Sequence, residues 1–409
     1  MSRVVVIGGG PAGMMAAGRA ASRDHQVCLV EKMHSCGLKL MITGQGRCNL
    51  TNQADPEEII AMTPRNGKFL YSALYQFTSQ QLIAFFRELG LETMVERGGR
   101  VFPLSERAED VVLTLERYLQ AEGVSLERGR ASEIVSNGNR VLGVRLEGSR
   151  RLEAEAVILA TGGLSYPRTG STGDGFRMAR KLGHKVVAPS PSLVPMEVEE
   201  EWVQEAAGLR LKNVGIKIYD RDRRVIHEDF GELTLEDYGV SGPVILTASS
   251  YLEDFESGEL KLIIDLKPAL DDNKLDRRIQ RDFNRYNNRQ FKNSLIDLLP
   301  GQLISPLLQM VSISPQKSVN QISREERREL ARVLKGLSLT LKAFRPLSEA
   351  IVTSGGIEVS EIDPQTMESR LVDGLYFAGE IIDVDALTGG YNLQLAFATG
   401  HLAGSSVGR

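Results

Sequence analysis

A chain of 409 residues with 42% hydrophobic side chains has the length for two or three domains and ample material for a sizeable core. Its net charge of −4 argues against a dedicated nucleic-acid binder, and no apolar run is long enough to cross a bilayer. Three cysteines, Cys28, Cys36 and Cys48, suit no disulfide scaffold, and Ser2 and Arg3 lead straight into an apolar run with no signal-peptide pattern, so a soluble cytoplasmic protein is expected.

Residues 4–13 read VVVIGGGPAG, a strand-type run followed by Gly8, Gly10 and Gly13 at G-x-G-x-x-G spacing, with Pro11 and Ala12 between the last two. Gly8 permits the tight turn, Gly10 lets a pyrophosphate approach the backbone, and Gly13 lets a helix over Met14 to Ala21 pack on the strand. A second apolar run, Gln26 to Val30, ends in Glu31, placed to accept hydrogen bonds from a ribose, with Lys32 next to it. Residues 43–52, TGQGRCNLTN, then set Gly44, Gly46, Arg47, Cys48 and Asn49 beside the adenosine-binding unit. Cys48 reads as a redox thiol or as a small packing residue, and the second is favoured, because Cys36 is too distant in sequence for a redox-active disulfide pair.

Thr78-Ser79-Gln80-Gln81 marks a capped helix to Leu89, and Glu106 to Ala121 has helical apolar spacing at Val111, Val112, Leu115 and Leu119. Arg100 and Arg107 either bind an anionic substrate or pair with Glu106 and Glu109. Residues 131–159 read as three strands, ASEIVS beginning at Ala131, RVLGVRL and RLEAEAVILA, a meander broken at Asn137-Gly138 and Gly148. The last ends in Thr161, Gly162 and Gly163, like the second signature of FAD-binding two-dinucleotide-fold proteins. SYPRTGSTGDGFRM follows at once. Tyr166, Arg168 and Thr169 are therefore candidates for the substrate side, or simply shape the turn. Gly170 to Gly175 has no strand directly before it, so no second nucleotide-binding unit is read.

Pro189, Pro191 and Pro195 mark an exit to another unit. VGIKIYD, RRVIHED and LKLIIDL suggest a barrel or sandwich over 191–270, with a closing strand near 337–345, and 271–336 reads as helical. From Asp271 to Arg345 there are fifteen Lys and Arg against eight Asp and Glu. A solvated helix surface is the simpler reading of that excess, since aromatics are not interleaved with it. LYFAGE, 375–380, resembles the third flavin signature, with Gly379 and Glu380 at its end; Asp383 or Asp385 are alternatives to Glu380. TGGYNLQLAFAT then starts a helix whose first N–H groups would face the flavin pyrimidine ring, with Gly389 and Gly390 leaving room for it. His184 reads as structural, while His227 and His401 show no partner, and no metal site is read. The fold class is thus α/β: a Rossmann-like FAD-binding domain with a parallel sheet and β-meander crossover over 1–190 and 346–409, carrying an inserted barrel and helical domain.

Nearly end to end, the chain resembles the bacterial flavoproteins that include aminoacetone oxidase and the BaiN-like NAD(P)/FAD-dependent oxidoreductases, relatives of the glutathione-reductase-type FAD fold. The motifs that carry this are GGGPAG, GLKLMITGQGRCNLTN, GRVFPLSERA, ATGGLSYPRTGSTGDGF, SLVPMEV, GVSGPVIL, RPLSEAIVTSGGI, MESRLVDGLYFAGEIIDVD and TGGYNLQLAFATG. The resemblance implies flavin contacts at the glycines of 8–13, Glu31, Lys39, Gly46, Arg47, Cys48, Asn49, Gly379, Glu380, Gly390, Asn392 and Leu393, and we add Ala131 and Tyr391 to the cofactor set. Leu235-Glu236-Asp237 stands where family members commonly have Phe-Thr-His. The expected function is hydride transfer between flavin N5 of non-covalent FAD and a small molecule, in the manner of an amine or aminoketone oxidase or of a reductase visited transiently by NADH or NADPH. The competing class is a flavin-dependent RNA-modifying or RNA-binding protein that uses the basic helical insert. The oligomeric state is left open.

Overall fold

The computed structural model of the chain describes residues 1–252 and 260–408. The unit formed by Met1–Ser192 and Pro346–Arg409 is built on a five-stranded parallel sheet in the order Leu375–Phe377, Ala156–Leu159, Arg3–Ile7, Gln26–Glu31, Ser125–Arg128. Val4 to Ile7 and Ala156 to Leu159 are continuously apolar and buried, because a parallel strand in the middle of a sheet is covered on both faces. The chain winds to one side of Arg3–Ile7 first and to the other later, so the topological switch lies at the carboxyl ends of Arg3–Ile7 and Ala156–Leu159.

Two helices close one face. Pro11–Ala21 packs on Tyr391–Ser406, where a Cβ on Gly400 would lie 2.3 Å from the Ala12 carbonyl and one on Gly404 2.5 Å from that of Ala16. The C-terminal helix is buried on nearly every side, which is why its sequence shows no apolar stripe. Ser79–Glu88 starts with a reciprocal capping box between Thr78 and Gln81, and the next long helix is Ala108–Ala121. The expected meander forms, with one correction. RLEAEAVILA is two strands: Arg151–Glu153 pairs with Arg140–Leu146, and Ala156–Leu159 joins the parallel sheet. Between them Ala154 N donates to Leu142 O and Glu155 N to Arg3 O, so the backbone changes partners within two residues.

The chain divides into two compact units, Met1–Ser192 with Pro346–Arg409, and Leu193–Arg345. The second contains a closed six-stranded barrel, in the order Met196–Val198, Gly239–Ser241, Val225–Glu236, Arg210–Tyr219, Leu260–Asp265, Leu337–Phe344. Alternate residues such as Ile216, Ile218, Leu262, Ile264, Leu339 and Leu341 fill its interior. Helices Asp272–Arg285, Ile304–Met310 and Arg324–Lys335 complete the unit. Of the residues that replace Phe-Thr-His, Leu235 is fully buried in the barrel core and Asp237 is exposed in the turn that follows. Among the described residues no helix is long and apolar enough to cross a membrane.

Candidate functional site

The nucleotide cradle forms where Arg3–Ile7 ends. Met14 N is the first amide to bond back into the helix, to Gly10 O at 2.9 Å. The amides of Ala12 and Gly13 therefore project from a helix start that has no side-chain cap and no acid in its first turn. A Cβ built on Gly10 meets nothing within 4 Å, whereas one on Gly13 would fall 1.8 Å from the Gly8 carbonyl. Gly13 thus serves packing, and Gly10 keeps space open beside bare amides. That arrangement fits a pyrophosphate.

Glu31 is nine-tenths buried at the end of its strand and does more than its sequence position suggested. Its Oε2 accepts from Gly9 N at 2.6 Å and its Oε1 from Met33 N at 2.7 Å, so the carboxylate ties the glycine loop to the chain beyond the second strand. Each oxygen keeps a lone pair for a ribose hydroxyl. Glu31→Ala is accordingly expected to weaken FAD binding ten- to hundred-fold, about 1.5–3 kcal/mol, and also to lower the melting temperature of flavin-stripped protein. Flavin titration and thermal melts check the two effects separately, and an unchanged dissociation constant would leave Glu31 a loop fastener only.

Residues 44–46 form an exposed left-handed turn over Gly44 and Gln45, and Arg47 leaves it to pair with Glu96 at 2.5 Å and with Glu106 while lying 4.2 Å over the Phe102 ring. Arg107 pairs with Glu109 as the ion-pair reading expected, but Arg100 pairs with Glu96 rather than with Glu106 or Glu109, since Glu106 is taken by Arg47. Cys48 is fully buried, and burial pushes its thiol up to about 12; burial likewise raises Cys36 to about 11. Neither supplies a thiolate near neutral pH, which supports the packing role. Asn49 turns its amide oxygen to Gly390 N at 2.9 Å and its nitrogen to Thr51 O and Val101 O.

At the third signature, Lys39 Nζ lies 2.6 Å from Glu380 Oε2 and 2.7 Å from Ser165 Oγ. Glu380 Oε1 accepts from Ser165 Oγ at 3.0 Å and from Thr353 N at 2.8 Å. A Cβ on Gly163 would strike Thr353 Oγ1 at 2.4 Å, so the second signature rests directly on this cluster. Asp383 instead bonds Asn66 and Asp385 bonds Ser192, and burial raises both carboxyls. Glu380 alone of the three joins Lys39. Thr353 and Ser165 were not singled out from sequence; the run TSGG at 353–356 was the available signal.

The C-terminal helix corrects one expectation. Gly390 is left-handed at φ 96°, and a Cβ there would lie 2.3 Å from Thr51 O. The protein's own backbone, before any flavin ring, requires this glycine. The amides of Tyr391, Asn392 and Leu393 form the free first turn, since Gln394 N is the one that bonds back to Gly390 O. The Asn392 side chain is engaged with Ala386 N at 2.9 Å and Ala386 O at 2.6 Å, which shapes the loop before the helix.

The turn Tyr166–Gly170 begins with Tyr166 at φ 50°, its carbonyl accepting from Thr169 N and Oγ1 at 2.8 Å each; Arg168 is exposed. A Cβ on Gly170 would meet Met33 at 3.0 Å, which sets the end of this turn beside the segment that follows Glu31. Nearby, buried Asp174 takes Lys32 at 2.7 Å, Arg130 at 2.7 Å and Arg177. Burial alone would raise its carboxyl, but the bonds and charges of Arg130 and Lys32 prevail and hold it well below the usual range. Ala131, next to Arg130, is buried at the start of its strand. His184 bonds Glu361 at 3.0 Å and Ser369 at 2.9 Å, and His401 stacks on Phe77 at 4.3 Å, both structural arrangements; His227 stacks on Tyr251 at 4.9 Å. No group of side chains suited to a metal ion occurs among the described residues.

The HI0933-like protein Rossmann domain family matches residues 2–406. The chain is 33% identical to a 3-dehydro-bile acid delta(4,6)-reductase of Clostridium scindens, over all of this chain and 99% of that protein. It is 30% identical to a ribosomal RNA dihydrouridine synthase of Escherichia coli, over 97% of this chain and 95% of that protein. Among solved structures, 3-ketosteroid delta1-dehydrogenase from Sterolibacterium denitrificans shares the fold, at TM-score 0.55, 14% identity and 98% coverage of each chain.

Proposed function

The chain belongs to the HI0933-like Rossmann family and is an FAD-dependent oxidoreductase, and from that premise we propose that it reduces a carbon–carbon double bond conjugated to a carbonyl. What carries the reading is that two relatives aligned over nearly the whole chain have names describing one chemistry. A 3-oxo Δ4,6 steroid and the uracil ring both present a C=C bond next to a C=O. Saturating it places a hydride on the β-carbon and a proton on the α-carbon.

Bound FAD supplies the two-electron step. The amides of Ala12 and Gly13 hold the diphosphate, Glu31 takes the ribose, and the Lys39–Glu380–Ser165 cluster and the first turn of Tyr391–Ser406 address the flavin half. We infer non-covalent attachment, because the buried thiols of Cys36 and Cys48 are protonated near neutral pH. NADH or NADPH is the proposed reductant, docking transiently, since the described residues contain a single five-stranded parallel sheet. A small cyclic enone is the first substrate reading, and we assign the protein to the cytoplasm. Uridine in ribosomal RNA is the second and less favoured reading, prompted by the name of the Escherichia coli relative and the basic composition of 271–345.

The test is anaerobic. NADH or NADPH is expected to bleach the bound flavin, and a 3-oxo-Δ4 steroid to restore its colour within seconds while a saturated 3-oxosteroid does not. Recolouring by a uridine-rich ribosomal transcript alone selects the second reading. Recolouring by oxygen only, or flavin that stays with the acid-precipitated pellet, would sink the reductase reading or the non-covalent one respectively.

A further inference from the structure

The helical part of Leu193–Arg345 sorts its charges. In Asp272–Arg285 the buried residues Leu275, Ile279 and Phe283 define the inner face. Two of its three acids are consumed close to that face, while Asp272 is exposed in the first turn: Asp276 accepts from Arg327 Nε at 3.2 Å and from Gln280 at 2.5 Å, and Asp282 takes Arg278 at 2.7 Å. Outside, Arg277, Arg281 and Arg285 succeed one another at i, i+4, and Arg289 continues the spacing past the helix end; all four are exposed. The helix Arg324–Lys335, with Leu330, Ala331 and Leu334 inside, repeats the device with exposed Arg324, Arg328 and Arg332. Like charges one turn apart destabilise the helix that carries them. A merely solvated surface has no need of two such ladders.

The ladders share a side. Lys335 Nζ reaches Leu270 O at 2.8 Å, just before the first helix, and Val319 N donates to Arg289 O at 3.0 Å, just after it, so the helices run antiparallel. They touch at Asp276 and Arg327. In antiparallel right-handed helices meeting there, the next residues, Arg277 and Arg328, turn to the same side; each i+4 step rotates about 40° further, so Arg281, Arg324 and Arg332 stay on that side and Arg285 reaches its outer edge. Neutralisation is partial. Arg285 pairs with Asp297 at 2.9 Å though 71% exposed, whereas Arg281 is 72% exposed with its nearest carboxylate 4.0 Å away, and Glu325 is exposed next to Arg324. Asn284, Asn287 and Asn288, also exposed, add amide donors.

We propose that this seven-arginine face docks on the phosphate backbone of a folded RNA. Planar guanidinium groups spaced by one helical turn match a row of phosphates. That the polyanion is RNA rests on the ribosomal-RNA reading above; the charge face itself does not.

The test uses the full-length flavin-loaded protein and a fluorescein-labelled, structured ribosomal RNA transcript, with anisotropy followed across a potassium chloride series. Wild type is expected to bind with log Kd rising linearly with log salt. Arg281→Glu with Arg328→Glu should weaken binding at least tenfold and reduce the slope by about two, with flavin spectrum and NAD(P)H reduction intact. Arg23→Glu with Arg151→Glu, an equal charge change elsewhere, should leave Kd within about twofold. Equal losses in both double variants, no RNA binding by wild type, or tighter binding to phosphatidylserine vesicles than to RNA would each overturn the proposal. RNA binding that depends on the ladder while the transcript fails to recolour reduced flavin would overturn the uridine reading and leave this surface standing.

Discussion

Gly10→Ala will deplete the protein of FAD without unsettling its fold, whereas Gly13→Ala will damage both. The two glycines are three residues apart in one motif, yet the structure separates their duties. At Gly10 the backbone is extended, at φ −79° and ψ −179°, and an added methyl meets no protein atom. Alanine is therefore tolerated by the empty chain, and the methyl occupies the space in which a diphosphate must approach the Ala12 and Gly13 amides. Losing charge-assisted bonds of that kind is worth about 1.5–3 kcal/mol, or a ten- to hundred-fold weaker affinity. At Gly13 the methyl would overlap the Gly8 carbonyl, so the helix must move off the strand. Isothermal titration with FAD and thermal melts of stripped protein measure the contrast. Equal FAD affinity in Gly10→Ala and wild type would place the diphosphate elsewhere.

Gly390→Val should cost at least about 3 kcal/mol of stability, lowering the melting temperature of flavin-stripped protein by about 5–10 °C. A β-branched residue is strained at φ 96°, and its Cβ would overlap Thr51 O; Thr51 in turn donates its hydroxyl to Gln394 Oε1 at 2.7 Å, inside the same helix. Displacing Thr51 disturbs the free amides of the helix start, so flavin affinity falls as well. A stripped Gly390→Val protein that melts like wild type would return this glycine to service of the ring alone. Midway along the helix, Thr399 Oγ1 accepts from Gly379 N at 2.9 Å, which makes the hydroxyl, retained by Thr399→Ser, the part that matters.

The nucleotide-binding half was legible because its signals are local and compulsory. A buried parallel strand must be apolar, a turn onto a helix needs glycine, and a strand-end acid follows at fixed distance. Parsing at 151–160 failed for a physical reason: strand periodicity persists through Ala154 and Glu155 while the hydrogen-bond partners change, and composition does not record a change of partner. That Glu31 ends a strand and Gly390 precedes a helix is legible in the sequence, but their protein partners are not, since a backbone amide 22 residues away or a carbonyl at Thr51 leaves no trace in neighbouring residues. The Lys39–Glu380–Ser165–Thr353 cluster joins four distant segments, and only folding brings them together. The arginine ladders were present in the sequence as a charge tally, but a tally does not say that Asp276 and Asp282 are engaged by Arg327 and Arg278 while the arginines of the ladders stay exposed.

The stems of the central excursion bear on how the chain folds. Ser192 pairs with Val352 in an antiparallel ladder, and inside the barrel unit Arg345 N donates to Pro195 O at 2.9 Å. Joining Ser192 to Val352 through an unstructured chain of about 160 residues would carry a closure entropy of roughly 4–5 kcal/mol. If the barrel forms first, its own two ends are already clasped, and the nucleotide-binding half needs to close only a gap of a few residues on either side. The excursion then behaves, thermodynamically, as a short hairpin loop, and a long interruption of the nucleotide fold exacts little delay on its assembly.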